Sequence, residues 1–518
     1  MSAVMSLGDW GSGLDPRDIP KPVLQRAQLQ LLHIATLIDE APQDGCWTGL
    51  RKLGPRRGAA RLKGGSTTSS VVSARIHASR AGWTDRLDHL LGGPTGVGAV
   101  CAALGFAKGA TLESMLTAVV VGNEIGGRIG AAMLLGPNHG VGSGWVYTTS
   151  AAVSAGRMLG LGPKQMSHAI ALALVSGGAV PRSVVGGEGR ALAIGSFVAA
   201  GVEAARSAQV GVQGPIDILD AAGGVLDTSC WLPLRHAFSG LGTAWLTETV
   251  SFPRWPGPAV WHSALDCVDE ILARHVKAAD KRLRADQTTA IHVELPAPAV
   301  ALDGWASRHG LRVPEGLGHA LRHAIGALVV EHQLGSAELQ AERWSERVER
   351  YGDVASRVTV THDLDLTLGF MGSMVETAAP LIGGITEAEW RGLLGRFEAP
   401  EVGWPTLGIK GLRSVIKHRP DRWIQMIRYA PGDLAEARLS DWQLHLGARV
   451  ELSTTRGGVW PESLTFAKGS PGTPWNQVVQ DVSARFASGD PDRLMVVQEI
   501  IDSGAEVPVE SIVEGLLY

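Results

Sequence analysis

The sequence predicts an α+β protein: a large all-helical domain, a smaller α/β lid domain, and C-terminal helices that return to the first domain. Three observations carry this. Residues 144–215 combine helical periodicity with an excess of Ala and Gly, the composition of helices that pack backbone to backbone inside a bundle. The periodicity changes near Val250, where residues 251–262 (SFPRWPGPAVWH) hold three prolines, a boundary signal. Helical periodicity returns after Pro474. The predicted units are therefore 15–248 (helical), 249–465 (α/β lid) and 466–518 (helical tail on the first domain).

Taken in order, residues 1–18 read as a loose arm. Residues 20–41 are helical, with Val23, Ala27, Leu31, Ile34 and Ile38 on one face. Residues 46–68, rich in Gly, Lys and Arg, read as a surface loop, and 69–83 as a helix. Residues 87–98 (LDHLLGGPTGVG) are a break, because five glycines and prolines interrupt any helix there. Helices follow over 97–107, 112–135 and through 144–215, where Ala151, Ala155, Met158 and Leu159 share one face and Met166, Ile170, Ala173 and Leu174 another. Beyond the prolines, 264–275 and 321–331 are helical, while 289–295, 356–361 and 448–453 alternate as strands. Residues 451–466 form a hairpin turning at Arg456–Gly458, and 474–486 and 491–503 close the chain as helices.

Composition narrows the function. Of 518 residues, 45% are apolar and 19% charged, as expected of a soluble globular protein. A net charge of −4 leaves no nucleic-acid footprint. The four cysteines are far apart, without metal-ligand spacing, and read as reduced core residues of a cytoplasmic protein. No signal peptide is read at the N-terminus. The most apolar run, 115–121, stops at Asn123 and Glu124, so no membrane span is expected.

No local motif is decisive: P-loop, GxSxG and HExxH are all absent. The glycines of 186–195 have no strand leading into them, so a dinucleotide fingerprint is set aside. The candidates lie instead in the breaks between buried helices. His139 sits in PNHGVGSGW, and Arg182 and Arg190 flank the next loop, where an arginine among small residues needs a carboxylate, from the protein or from a ligand. Tyr147 opens the Ala-rich stretch as a further substrate contact, and Asp88 and His89 adjoin the 92–98 break. His262 follows the prolines at a domain junction, a common place for ligand sites. His168 reads as a packed histidine, and Glu124 and Arg128 as an i, i+4 pair that neutralise each other.

Five collinear segments, VVVGNEIGGRIG (119–130), AAVSAGRMLGLGPKQMSHAIALA (151–173), VGGEGRALAIG (185–195), WHSALDCVDEIL (261–272) and FAKGSPGTP (466–474), resemble the MmgE/PrpD family of 2-methylcitrate dehydratase, cis-aconitate decarboxylase and iminodisuccinate epimerase. The resemblance covers most of 15–362 and 446–500. It implies a helical domain with an α/β lid, a homodimer, no metal or organic cofactor, and a site between the domains for a small di- or tricarboxylate. It also implies roles for single residues. Asp88 takes the place of the first aspartate in the family's Leu-Asp-x-x-Asp-Thr, but the second aspartate and the threonine are absent. Gly93 stands where the histidine of His-Pro-Ser is expected. His139 is the nearest match to the central histidine, Arg190 or Ala193 to a lysine, and His323 to the tyrosine of the first lid helix. The junction histidine is kept as His262, whereas its upstream lysine falls near Val250.

Proton abstraction beside a carboxylate needs a positioned base and a cation for the developing charge. The expected function is thus an acid/base lyase or isomerase acting on an anionic carboxylate. His262, His139, His323 and Asp88 are the acid/base candidates, and Arg182, Arg190, His89 and Tyr147 the substrate contacts. The alternative is a catalytically inactive paralogue that serves as a binding or partner subunit.

Overall fold

The fold was analysed in a computed structural model that describes residues 2–55, 57–135, 143–178, 188–309, 314–340, 344–382, 388–389, 434–502 and 515. It is an α+β fold dominated by helices. The first surprise is α1 (Ala3–Gly13), capped by the Ser2 side chain, which accepts from the Met5 N–H. The expected loose arm is a helix because its glycines serve contact rather than freedom. A Cβ at Gly8 would stand 2.2 Å from Ser167 Oγ, so α1 seats directly on a later helix. α2 (Lys21–Glu40) runs through the core, buried from Gln28 to Ile38. The expected surface loop also holds structure: α3 (Cys46–Leu53), then β1 (Ala60–Arg61) paired with β2 (Thr67–Thr68). Trp47 fixes α3, lying buried beneath the Arg80 guanidinium at 5.3 Å from its ring centroid.

The bundle continues with α4 (Ser70–Ala81), α5 (Gly96–Leu104), α6 (Leu112–Ala132), α7 (Ser143–Met158), α8 (Pro163–Ser176), α9 (Glu188–Gln209) and the short α10 (Val225–Ser229). Small residues do here what their composition predicts. A Cβ at Gly122 would meet Ser150 O at 3.0 Å, one at Gly126 Ser150 Oγ at 2.0 Å, and one at Gly201 Thr148 O at 2.2 Å. Backbones of α6 and α9 thus lie directly on α7. Glu124 and Arg128 are paired at 3.5 Å, yet each is held mainly by other groups. The Glu124 carboxylate accepts from the N–H groups of Leu246 and Thr247, and Arg128 donates to carbonyls of Ala237 and Gly240. Among the described residues one helical stretch, Gly189–Gln209, is long and apolar enough to cross a membrane by length and composition; 56% of its apolar window is buried inside the molecule.

After the prolines come α11 (His262–Ala279), β3 (Thr288–Leu295), α12 (Ala297–His309), α13 (Leu321–Glu331), α14 (Trp344–Ala355), β4 (Val358–His362), α15 (Leu364–Ile382), β5 (Ala448–Thr454), β6 (Val459–Leu464), α16 (Trp475–Ala487) and α17 (Pro491–Asp502). The sheet order is β4-β3-β5-β6, with β3–β4 parallel and the other pairs antiparallel. The β5–β6 turn places Gly457 at φ 75°, as the hairpin reading requires. α11 and α13 bury one face in a second apolar core with the sheet, Trp255 and Trp261. Tail helices α16 and α17 pack in the first core, where Gln28 Nε2 donates to Ile500 O at 2.6 Å. Leu434, Leu439 and Trp442 also belong to that first core.

Candidate active site

The site is built where α4 ends. Asp85 follows it in the left-handed conformation, φ 56°, which aspartate tolerates better than most residues. Its carboxylate meets two groups from distant parts of the chain. Arg190, in the first turn of α9, pairs with Oδ1 through Nη2 and donates through Nη1 to Gly82 O at 2.9 Å. His319, at the end of the 3-10 turn Pro314–His319, places Nε2 2.7 Å from Oδ2. Burial pushes the Asp85 carboxyl up, but the Arg190 charge and the contact with His319 outweigh it and hold the group below its ordinary range. Asp85 is therefore ionised at neutral pH.

Asp88 lies three residues on, fully buried. Gln30 Nε2 donates to its Oδ2 at 2.8 Å and the Gly96 N–H, at the start of α5, donates at 3.2 Å. A Cβ at Gly96 would lie 2.4 Å from Oδ1, so only glycine lets the carboxyl reach this backbone. Gln30 is linked in turn to Asn123, and Asn123 to Thr95 at 2.7 Å. Among the described residues Oδ1 has no hydrogen-bond partner, and burial raises the pKa. His89 extends the same segment. Its Nδ1 lies 2.8 Å from Leu87 O, and its backbone bridges Ser251, tying the break to the proline-rich junction.

His262 opens α11. It is buried, with Nε2 2.9 Å from Gly257 O. Because a carbonyl only accepts, Nε2 carries the proton and Nδ1 the lone pair. Burial pushes its pKa down from 6.5 to about 4, so it is neutral at pH 7. The charges of His89, Asp85 and Arg86 all act on it. The two histidine-bearing segments touch through glycines: a Cβ at Gly257 would lie 1.9 Å from Gly318 O, and one at Gly318 2.8 Å from the Pro256 carbonyl carbon. Tyr147 is buried and stacked on Phe197 at 6.5 Å between centroids; burial, then the Asp85 charge, raises its pKa.

The Asp85 charge acts on Tyr147 and His262, and those of Arg190 and His89 act on Asp85, while Asp88 interacts with His89 and Tyr147. His323 does not turn that way. It faces α14, its Nε2 3.8 Å from where a Gly352 Cβ would stand. His139 and Arg182 lie outside the described residues. His262 is also more deeply packed than a residue opening a helix at a cleft would be, so replacing it with alanine would probe packing as much as chemistry. The sequence reading missed Asp85 and His319. Neither stands in a recognisable motif, and only the left-handed turn and the Gly257–Gly318 contact bring them together. Two cavities of about 300 and 290 Å³ lie elsewhere, one against Trp47, Lys63 and Arg80, the other against Arg26, Glu248 and Trp475. Chemistry rather than volume marks the cluster. Among the described residues, no three or more His, Cys, Asp or Glu side chains are placed to hold a metal ion.

The resembling segments brace this seam. Asp266 of α11 accepts from the Trp255 indole at 2.9 Å and from the Lys468 N–H at 2.7 Å. The Phe252 N–H donates to Gly469 O at 2.8 Å, and Arg485 of α16 donates to Pro253 O at 2.7 Å. Comparison with known proteins agrees. Residues 6–231 match the MmgE/PrpD N-terminal domain. A cis-aconitate decarboxylase of Aspergillus terreus is 24% identical over 333 residues, covering 57% of this chain and 65% of that protein. The chain thus spans just under two thirds of that relative's length.

Proposed function

Because the chain belongs to the MmgE/PrpD family through its N-terminal domain, we propose that it is a lyase or isomerase acting on a small anionic carboxylate by proton transfer. The observation that supports this most is one ionised aspartate, Asp85, with an arginine and an imidazole drawn to it and two further histidines in electrostatic reach. Arginine has five N–H donors, and the Asp85 and Gly82 contacts engage two of Arg190's groups. The remaining donors suit a substrate carboxylate. His262, neutral with a bare Nδ1, offers an acceptor for a substrate hydroxyl or proton. The similarity to a decarboxylase favours carbon–carbon or carbon–oxygen lyase chemistry within this class.

The test is binding followed by exchange. Citrate, cis-aconitate and succinate are screened by thermal shift, and each binder is followed by proton NMR in D₂O for loss of the C–H signal beside a carboxylate. At least one is expected to raise Tm and exchange. Arg190→Lys, which keeps the charge but loses the planar fork, should weaken binding roughly tenfold. If none binds or exchanges, the reading fails, and a non-catalytic binding or partner subunit replaces it.

A further inference from the structure

We infer that His319 is the group that removes the substrate proton, with Asp85 as its positioning residue; this rests on the proposed carboxylate chemistry. The argument begins with the tautomer. Asp85 is ionised and accepts only, so His319 Nε2, 2.7 Å away, must carry the hydrogen. The lone pair then sits on Nδ1. That atom is buried and, among the described residues, has no hydrogen-bond partner. Leaving a buried polar atom unpaired costs about 1–3 kcal/mol, and such exceptions call for a reason. A substrate proton arriving at Nδ1 supplies one.

The neighbours favour the same nitrogen. When a C–H bond beside a carboxylate breaks, its electron pair stays on the substrate and the proton passes to Nδ1. The new imidazolium then lies against the Asp85 carboxylate, which compensates its charge as it forms. His262 has no such support: its Nε2 meets only the Gly257 carbonyl, and its burial works against the charged form. Arg190 shares Asp85 from the other side, which places a cation beside the base for the enediolate. In D₂O the abstracted proton is replaced by a solvent deuteron on Nδ1, which then returns to the same carbon, so exchange needs no co-reactant but water. Position is fixed by the chain: His319 directly follows Gly318, which is held against Gly257. The base is thus set at a constant distance from the His262 segment.

Two measurements test this on the full chain. Long-range ¹H–¹⁵N spectra of the free protein should show His319 protonated at Nε2 and bare at Nδ1 at pH 7. Asp85→Asn should erode that single tautomer. A His319 found mainly as Nδ1–H overturns the inference while leaving the carboxylate reading in place. The second measurement is exchange into citrate and cis-aconitate in D₂O. His319→Gln should lose on the order of 10²–10⁴-fold in exchange rate while still raising Tm with the ligand that stabilises the wild type. Exchange retained within about threefold overturns the role of His319 but not the enzyme class. Absence of binding and exchange in the wild type sinks both together.

Discussion

His77, fully buried in α4, has Nδ1 3.4 Å from Ser73 Oγ and, among the described residues, no partner for Nε2. Burial pushes its pKa from 6.5 down to about 3. The unfolded chain therefore takes up the proton first as the pH falls. His77 draws on stability from about pH 6.5 downward and has given its full effect near pH 3. Comparing unfolding free energies at pH 7 and 4.5, His77→Gln should shrink the acid-side loss by roughly 2–3 kcal/mol. An unchanged difference would mean that His77 is not buried neutral. His262 acts with the same sign between 6.5 and about 4. At this scale the sequence marks as candidates the residues that adjoin a glycine break or a proline run, as with Asp88, His89 and His262. Asp85 and His319 are not marked, because a left-handed turn and a contact between distant glycines leave no periodic trace.

Among the elements, the closest approach of α6 to α7 carries its own test. A Cβ on Gly126 would press on Ser150 Oγ at 2.0 Å, while the next atom, Ser150 Cβ, is 3.1 Å away. Gly126→Ala should cost about 1–3 kcal/mol by overpacking. Among the described residues Ser150 Oγ has no hydrogen-bond partner, so Ser150→Ala alone should cost little. Gly126→Ala in that background should recover most of the stability, a coupling readable by urea unfolding of the four variants. Additive losses would show that the helices do not touch there. β3 and β5 were legible because alternation follows a sheet with one buried face. α1 and α3 were not, because Gly and charged residues signal loops locally and only tertiary contact with α8 and α4 decides otherwise.

For the whole molecule, assembly is the open consequence. α8, α9 and the loop after them leave Val175 60%, Val210 80% and Val212 47% exposed, and Leu192 and Ile216 are also exposed. Single exposed residues are ordinary, but a run of apolar side chains along neighbouring elements suits a protein contact. A homodimer through these helices is the expected state. Light scattering at micromolar concentration should give twice the 54.5 kDa chain mass, and the pair Val175→Glu with Val210→Glu should give monomer with Tm kept. A monomeric wild type would refute the assembly.

The back-to-back glycines at 257 and 318 act as a fixed gauge. Neither can grow by one carbon without parting the two chains that carry His262 and His319, so the spacing between those imidazoles is not a dial that substitution can turn in small steps. A search for altered substrate range has its freedom elsewhere. His89, which is only half-buried, can change in size while the gauge stays put, whereas a side chain at 257 or 318 should lower Tm by parting the two segments.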